Sequence, residues 1–432
     1  MITSVFRCLT AIRAAVPSST ASHRTTPGTP ARARTPAVPV AASRRAGLAT
    51  VRAAWASLLA AGLLLAGPIA QAQVPAPEIA ARSWLLMDVT TKTVLYSQLP
   101  DERVEPASLT KLLTAYVAFD WLKQKRLTLT QRPPVSQLAY KAIGSRMFVD
   151  PRSPATVEEL LNGLTVQSGN DASIILAEAI GGSEAQFAEI MNAEAKRIGM
   201  SSSHFTNSSG LPDPNHYSTA RDLATLAVRL IEDFPDYYRM YSQKEYTYNN
   251  IKQPNRNRLL FTDPTVDGFK TGHTDAAGYC LISSAKREQA ETGFSRRILA
   301  VLMGASSESS RAIESQKLLN YGFQNFDAVQ LYKANAPVGS YQVWKGKLPE
   351  IKAGFAQDVM VTVPKAQVSG VKGEIERMEP LVAPITVGQK LGTLRVRLAN
   401  NVIAERPVIA LEAVESAGWF GRTWDTIRLW IK

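Results

Sequence analysis

Three amphipathic segments in the middle of this 432-residue chain, with strand-like runs on both sides of them, limit its fold more than any other feature. "TVEELLNGLTV", "DASIILAEAIG" and "SEAQFAEIMNAEAKRIG" repeat their apolar residues at helical spacing, and two of them end at Gly181 and Gly199. Before them, "RSWLLMDVTTKTVLYSQLP" alternates around a polar turn and predicts a hairpin from Ser83 to Ser97. After them, "GFKTGHT", "GYCLISSAKR" and "RRILAVLMGA" are strand-like, and "SSRAIESQKLLNYGF" closes the region as a helix. Strands at both ends with helices between them predict one antiparallel sheet carrying helices, an α+β domain over residues 78–327.

Past Asp327 the texture changes. "AVQLYK", "YQVWKG", "DVMVTVP", "LGTLRVRLAN" and "NVIAERPVIALEAV" are short strands between Gly/Pro turns, which predicts a small all-β sandwich over 328–414. The tail 415–432, "ESAGWFGRTWDTIRLWIK", is amphipathic. Trp419, Phe420, Thr423, Trp424, Ile427, Trp430 and Ile431 share one arc of a helix, with Arg422, Arg428 and Lys432 outside it. Trp with basic residues predicts a helix lying on an anionic membrane surface. The alternative is a core helix of the β domain.

The net charge of +12 suggests nucleic acid until its distribution is examined. Residues 1–72 hold eight arginines and no acidic residue, so the remainder carries 41 basic against 37 acidic side chains, or +4. That is ordinary for a soluble domain and gives no case for nucleic-acid binding. Within 1–72, arginines precede an apolar run and a small-residue site at Ala70-Gln71-Ala72. This predicts a secretory signal with Gln73 starting the mature chain. The run from Ala53 to Ala66 is short for a membrane span, which needs roughly 20 apolar residues. The chain is therefore expected to be exported. Cys8 goes with the leader, leaving Cys280 alone in a strand-like run as a small packed hydrophobe.

Chemistry concentrates in "VEPASLTKLLTAYVAFDWLK". Ser108 and Lys111 are three residues apart at the mouth of an apolar helix, where such positions share a face. Ser-x-x-Lys also occurs at Ser283/Lys286, in a strand pattern where the two side chains diverge, and at Ser369/Lys372, in a turn-like stretch. Taken alone, Ser108 as a helix cap and a snorkelling Lys111 explain the first pair equally well. Two further motifs follow in order: Ser168-Gly169-Asn170, and Lys270-Thr271-Gly272 in a strand. A glycine there lets a substrate backbone approach the strand edge.

Ser-x-x-Lys, Ser-Gly-Asn and Lys-Thr-Gly in this order resemble the serine penicillin-recognising enzymes. With "GLPDPNHYSTARDL" and "VDGFKTGHTDAAGYCLISSAKR", the chain resembles their exported D-alanyl-D-alanine carboxypeptidases, the low-molecular-mass penicillin-binding proteins. The resemblance runs from about Ser83 to the C-terminus and implies a β-lactamase-like catalytic fold. One departure is Ser209, where some relatives carry His. The resemblance implies Ser108 as nucleophile, Lys111 as its base and Ser168 as proton relay. It implies Asn170 on the substrate amide, Lys270 and Thr271 on its terminal carboxylate, and the backbone N–H groups of Ser108 and His273 as oxyanion hole. Burial and a nearby Lys270 are expected to hold Lys111 neutral. The expected partners are a peptidoglycan stem peptide and β-lactam antibiotics, with no metal or cofactor. The expected place is the periplasm, peripheral on the outer face of the inner membrane. A D,D-endopeptidase, a weak β-lactamase and a catalytically idle peptidoglycan-binding protein are the alternatives. Glu158-Glu159-Leu160-Leu161-Asn162 matches a β-lactamase deacylation motif but precedes Ser168, and is expected to be a solvated helix face.

Overall fold

The computed structural model describes residues 74–289, 293–419 and 423–426. The leader with its cleavage site, and Phe420, Arg422, Ile427, Arg428, Trp430, Ile431 and Lys432 of the tail, lie outside the described residues.

The N-terminal hairpin pairs β1 (Ser83–Asp88) with β2 (Thr93–Gln98). A 3-10 turn at Ala107–Thr110 leads into helix α1 (Lys111–Lys123). Next come α2 (Val157–Asn162), a π-helical segment at Gly163–Gln167, α3 (Asn170–Gly181), α4 (Glu184–Ile198) and α5 (Ala220–Asp233). Their starts follow local chemistry. Thr156 and Glu159 form a reciprocal capping box at α2, and Ser183 and Thr219 cap α4 and α5. Gly182 and Gly199 end α3 and α4 in the left-handed conformation. A two-stranded ribbon, β3 (Glu245–Tyr248) with β4 (Ile251–Pro254), precedes three long strands. These are β5 (Val266–Thr274), β6 (Gly278–Glu288) and β7 (Ser295–Ala305), followed by α6 (Glu308–Asn325).

The five long strands form one antiparallel sheet in the order β2-β1-β7-β6-β5. The hairpin thus meets strands some 200 residues later, with Leu85 opposite Val301. Both faces of the sheet are covered. Along β7, Leu299, Val301 and Met303 pack into the core under α1–α5, while Ile298, Ala300 and Leu302 pack under α6. This period of two on a doubly buried strand explains why "RRILAVLMGA" is apolar almost throughout.

The β domain begins at β8 (Phe326–Tyr332). It contains β9 (Gly339–Trp344), β10 (Glu350–Gly354), β11 (Val359–Pro364), β12 (Val371–Arg377), β13 (Leu381–Val382), β14 (Lys390–Leu398) and β15 (Asn401–Ala410). A six-stranded sheet, β12-β14-β15-β10-β9-β13, and the pair β11-β8 enclose a core around Ile351, Leu391, Leu394, Val396 and Val408. The domain is joined to the catalytic sheet by a buried polar knot. Nε and Nη2 of Arg296 on β7 donate to Asp88 Oδ2 at 3.0 and 2.8 Å, and both residues are at most 1% exposed. Its Nη1 donates to the carbonyl of Phe326 where β8 starts. Thr362 on β11 donates to the same Asp88 oxygen at 2.9 Å and lies 2.7 Å from the Thr91 hydroxyl.

Candidate active site

Ser108 is not a helix cap. It lies inside the 3-10 turn, which has no side-chain cap, and its hydroxyl is the partly exposed end of a buried segment. Lys111 does not snorkel either. It is fully buried, with Nζ donating to Ser108 Oγ at 3.0 Å and to the carbonyl of Ser209 at 2.6 Å. That carbonyl belongs to a loop fixed on several sides. Glu184 accepts from the Ser208 N–H and hydroxyl at 3.0 and 2.6 Å, and Thr114 and Ser173 both donate to the Ser208 carbonyl at 2.6 Å. Because Ser209 contributes its backbone, the departure from His at this position leaves the lysine contact intact.

Two glycines bring the Ser108 turn close to its neighbours. Gly210, at φ +81°, lies so near the turn that a Cβ there would overlap the Ala107 carbonyl. A Cβ on Gly272 of β5 would come within 3.0 Å of the Pro106 carbonyl and 3.3 Å of Ala107 and Leu109. The nucleophile's own turn is therefore one close neighbour that favours glycine at 272. Thr110 adds a further tether, 2.8 Å from His216 Nε2, whose pKa burial lowers to about 4 so that the ring is neutral at working pH.

Burial pushes the Lys111 pKa down from 10.5 to about 7, and the positive charge of Arg256 pushes in the same direction. Asp171 and Glu184 oppose the shift. The cation acting on Lys111 is thus Arg256, which sequence reasoning did not single out. Lys111 in turn acts on Lys270, whose pKa is held well below its usual value by burial first and then by Lys111, Arg256 and Arg311.

Ser168 occupies the joint between the π-helical segment and α3, at φ +63°. A non-glycine residue in that region costs about 1 kcal/mol or more and persists where surrounding structure imposes it. Its hydroxyl is buried without a partner in the protein, as is Asn170 Oδ1. The Asn170 amide nitrogen donates to the Ile143 carbonyl at 2.6 Å, which fixes the direction of that unpaired oxygen. Ser108, Ser168, Thr271, Gly272 and His273 line one cleft of about 400 Å³. Arg256, Arg311, Glu308, Tyr279 and Ser145 complete its wall. Lys270, next to Thr271 of the lining, is only 3% exposed. The motif residues, spread over 165 positions, therefore converge. A nucleophilic hydroxyl with a lysine able to lose its proton at neutral pH can perform acyl transfer.

The D-alanyl-D-alanine carboxypeptidase family model matches residues 70–307, and the model for the C-terminal domain of penicillin-binding protein 5 matches 326–416. The chain belongs to the D-alanyl-D-alanine carboxypeptidase family. It is 40% identical over 369 residues to the D-alanyl-D-alanine carboxypeptidase DacC of Escherichia coli, covering 83% of this chain and 90% of that protein. Its fold is similar to that of penicillin-binding protein 5 from Haemophilus influenzae, with a TM-score of 0.75 and 37% identity over 80% of this chain and all of the other. Penicillin-binding protein D2 of Listeria monocytogenes, solved with ampicillin bound, matches 58% of the chain at 28% identity and a TM-score of 0.52.

Arg256, Arg311 and Ser145 escaped the sequence reading because each reaches the cleft through long-range packing. Asp171, adjacent to the Ser-Gly-Asn motif, also escaped it. Its carboxylate accepts the N–H groups of Met147, Phe148 and Val149 at 2.9, 2.8 and 3.2 Å and so shapes the loop beside the cleft. Glu159 of the β-lactamase-like motif is engaged in the α2 capping box. Among the described residues, no group of three or more His, Cys, Asp or Glu side chains could hold a metal ion.

Proposed function

We propose that this protein removes the terminal D-alanine from peptidoglycan pentapeptides through an acyl-serine intermediate, and that β-lactams acylate the same serine. The observation that carries the reading is the 3.0 Å contact between Ser108 Oγ and a buried lysine whose pKa is about 7. Neutral Lys111 accepts the Ser108 proton as Oγ attacks the carbonyl carbon of the penultimate residue. The oxyanion forms against the backbone N–H groups of Ser108 and His273. The C–N bond then breaks, and Ser168 relays the proton held by Lys111 to the leaving amine as D-alanine departs, which leaves Lys111 neutral again. Water attacks the ester, the proton goes back through Lys111, and Ser108 is regenerated.

Asn170 Oδ1 accepts from the substrate amide on the acyl side. The substrate's terminal carboxylate lies against Thr271, with Arg256 and Arg311 as the cations at the cleft wall and Lys270 next to Thr271. Incubating the mature protein with a D-Ala-D-Ala pentapeptide and assaying free D-alanine tests the activity. A protein that binds the peptide yet releases no D-alanine would be the idle binding protein instead.

We also infer export and attachment to the outer face of the cytoplasmic membrane. The arginine–apolar–small-residue leader supports export. The Trp-rich tail supports attachment: Trp419 and Trp424 are 67% and 61% exposed, and Thr423 Oγ1 donates to the Trp419 carbonyl as in a helix turn. A fusion to a reporter active only outside the cytoplasm, followed by membrane fractionation, tests both.

A further inference from the structure

Beside the cleft lies a second cavity that the proposed chemistry does not use. It has a volume of about 800 Å³ and is lined by Tyr140, Lys141, Arg146, Phe148, Arg152 and Asn249, among others. Arg152 is already matched by Asp150 at 2.9 Å. Arg146 is different. Its guanidinium carbon lies 5.9 Å from the Tyr140 ring centre and 5.4 Å from that of Phe148, and one nitrogen donates to the Tyr140 carbonyl at 2.6 Å. Its Nε is buried with no hydrogen-bond partner. The nearest carboxylate, Asp171, stands 4.0 Å away, and its oxygens are already taken by backbone N–H groups. The side chain is a quarter exposed and lines the cavity, so the part open to a ligand is the guanidinium beyond the buried Nε. A guanidinium packed against two rings at the wall of a cavity can receive a planar carboxylate.

One loop serves both the cavity and the catalytic cleft. Ser145, next to Arg146, lines the Ser108 cleft, and its carbonyl accepts the Asn170 N–H at 2.7 Å. Asn170 is the group that faces the acyl side of the scissile bond, while Arg256 and Arg311 mark the carboxylate end. A donor peptide that leaves the cleft past Asn170 therefore runs onto the loop carrying Arg146.

We propose, resting on the carboxypeptidase reading, that the Arg146 pocket binds a free carboxylate on the acyl-donor part of the stem peptide, N-terminal to the two alanines. The enzyme then prefers stem peptides whose diamino or acidic residue bears a free carboxylate over the same peptides with that group amidated. Arg146 is a specificity residue and takes no part in bond making or breaking.

The test uses two matched peptides ending in D-Ala-D-Ala that differ only in one side-chain carboxylate or its primary amide in the donor segment. For each protein the ratio of kcat/KM values is measured by D-alanine release, so that a general loss of activity cancels. The wild-type ratio is expected to be about tenfold or more in favour of the carboxylate. Arg146→Gln brings it near one, and Arg146→Lys leaves an intermediate, more salt-sensitive preference. A wild-type ratio near one, or a ratio unchanged in Arg146→Gln, overturns the proposal. If neither peptide yields D-alanine, the carboxypeptidase reading fails. The pocket is then judged separately, by whether the carboxylate peptide slows acylation by a fluorescent penicillin more than its amide and loses that advantage in Arg146→Gln.

Discussion

Penicillin acylation of Ser108 should titrate with Lys111. With a pKa of about 7, half of the lysine is neutral at pH 7 and roughly one part in a hundred at pH 5. The acylation rate should therefore fall about fiftyfold between those pH values, with an apparent pKa near 7. At the ordinary value of 10.5, the neutral fraction at pH 7 would be lower by roughly a thousandfold, which measures what burial and Arg256 contribute. The sign of each contribution can be tested separately. Arg256→Gln removes a charge that lowers the pKa, so the acid limb should move to higher pH. Glu184→Gln removes one that raises it, and the limb should move to lower pH. Lys111→Arg, which cannot deprotonate, should lose at least the same thousandfold at pH 7. Because the unfolded chain keeps a proton that folded Lys111 releases, stability should rise with pH between about 7 and 10.5. Protonated Lys111 also lowers the Lys270 pKa, so Lys270 should bind its proton less readily below the limb than above it. Stopped-flow with a fluorescent penicillin reads the profile. An acid limb near pH 10, or one that stays in place in both Arg256→Gln and Glu184→Gln, would refute the reasoning.

Other variants probe other links. Ser108→Ala should give no covalent penicillin adduct by mass spectrometry while retaining the wild-type circular dichroism spectrum. Gly272→Ala puts a methyl 3.0 Å from the Pro106 carbonyl and should shift the nucleophile's turn by tenths of an ångström, slowing acylation about tenfold or more with a stability loss of about 1 kcal/mol. Arg296→Met leaves Asp88 buried and uncompensated and should cost about 3–5 kcal/mol in denaturant unfolding; adding Asp88→Leu should recover most of it. Deleting Glu415–Lys432 should release the protein from anionic vesicles with soluble-peptide activity preserved, as read by co-sedimentation.

The catalytic motif was legible because its geometry is local: two residues three apart on a helical turn share a face wherever the helix lies, and the two other Ser-x-x-Lys pairs failed that condition. The central strand of the sheet was legible as well, since β7 is buried on both faces and its sequence is almost continuously apolar. Strands with less buried surface were not. β12 lies at a sheet edge with no residue fully buried, so "VKGEIER" carries no usable alternation. The five-residue β10 buries only Ile351, Ala353 and Gly354. Within the site, the left-handed Ser168 has no sequence signature, because its conformation is imposed by the π-helical segment before it. Arg256 and Arg311 look like any other arginines until the fold brings them to Ser108.

The knot of Asp88, Arg296, Thr362 and the Phe326 carbonyl has a mechanical consequence. A floppy linker would let the catalytic domain wander through a volume set by its length. In the membrane-attached form proposed above, a clamped joint would make the two domains a strut, so that a cleft tethered by the far end would sweep a thin shell at constant height. The height at which a tethered enzyme met its polymer would then be decided by three side chains and one carbonyl. Mutations there would change which layer of substrate is trimmed, with the turnover of a free peptide untouched.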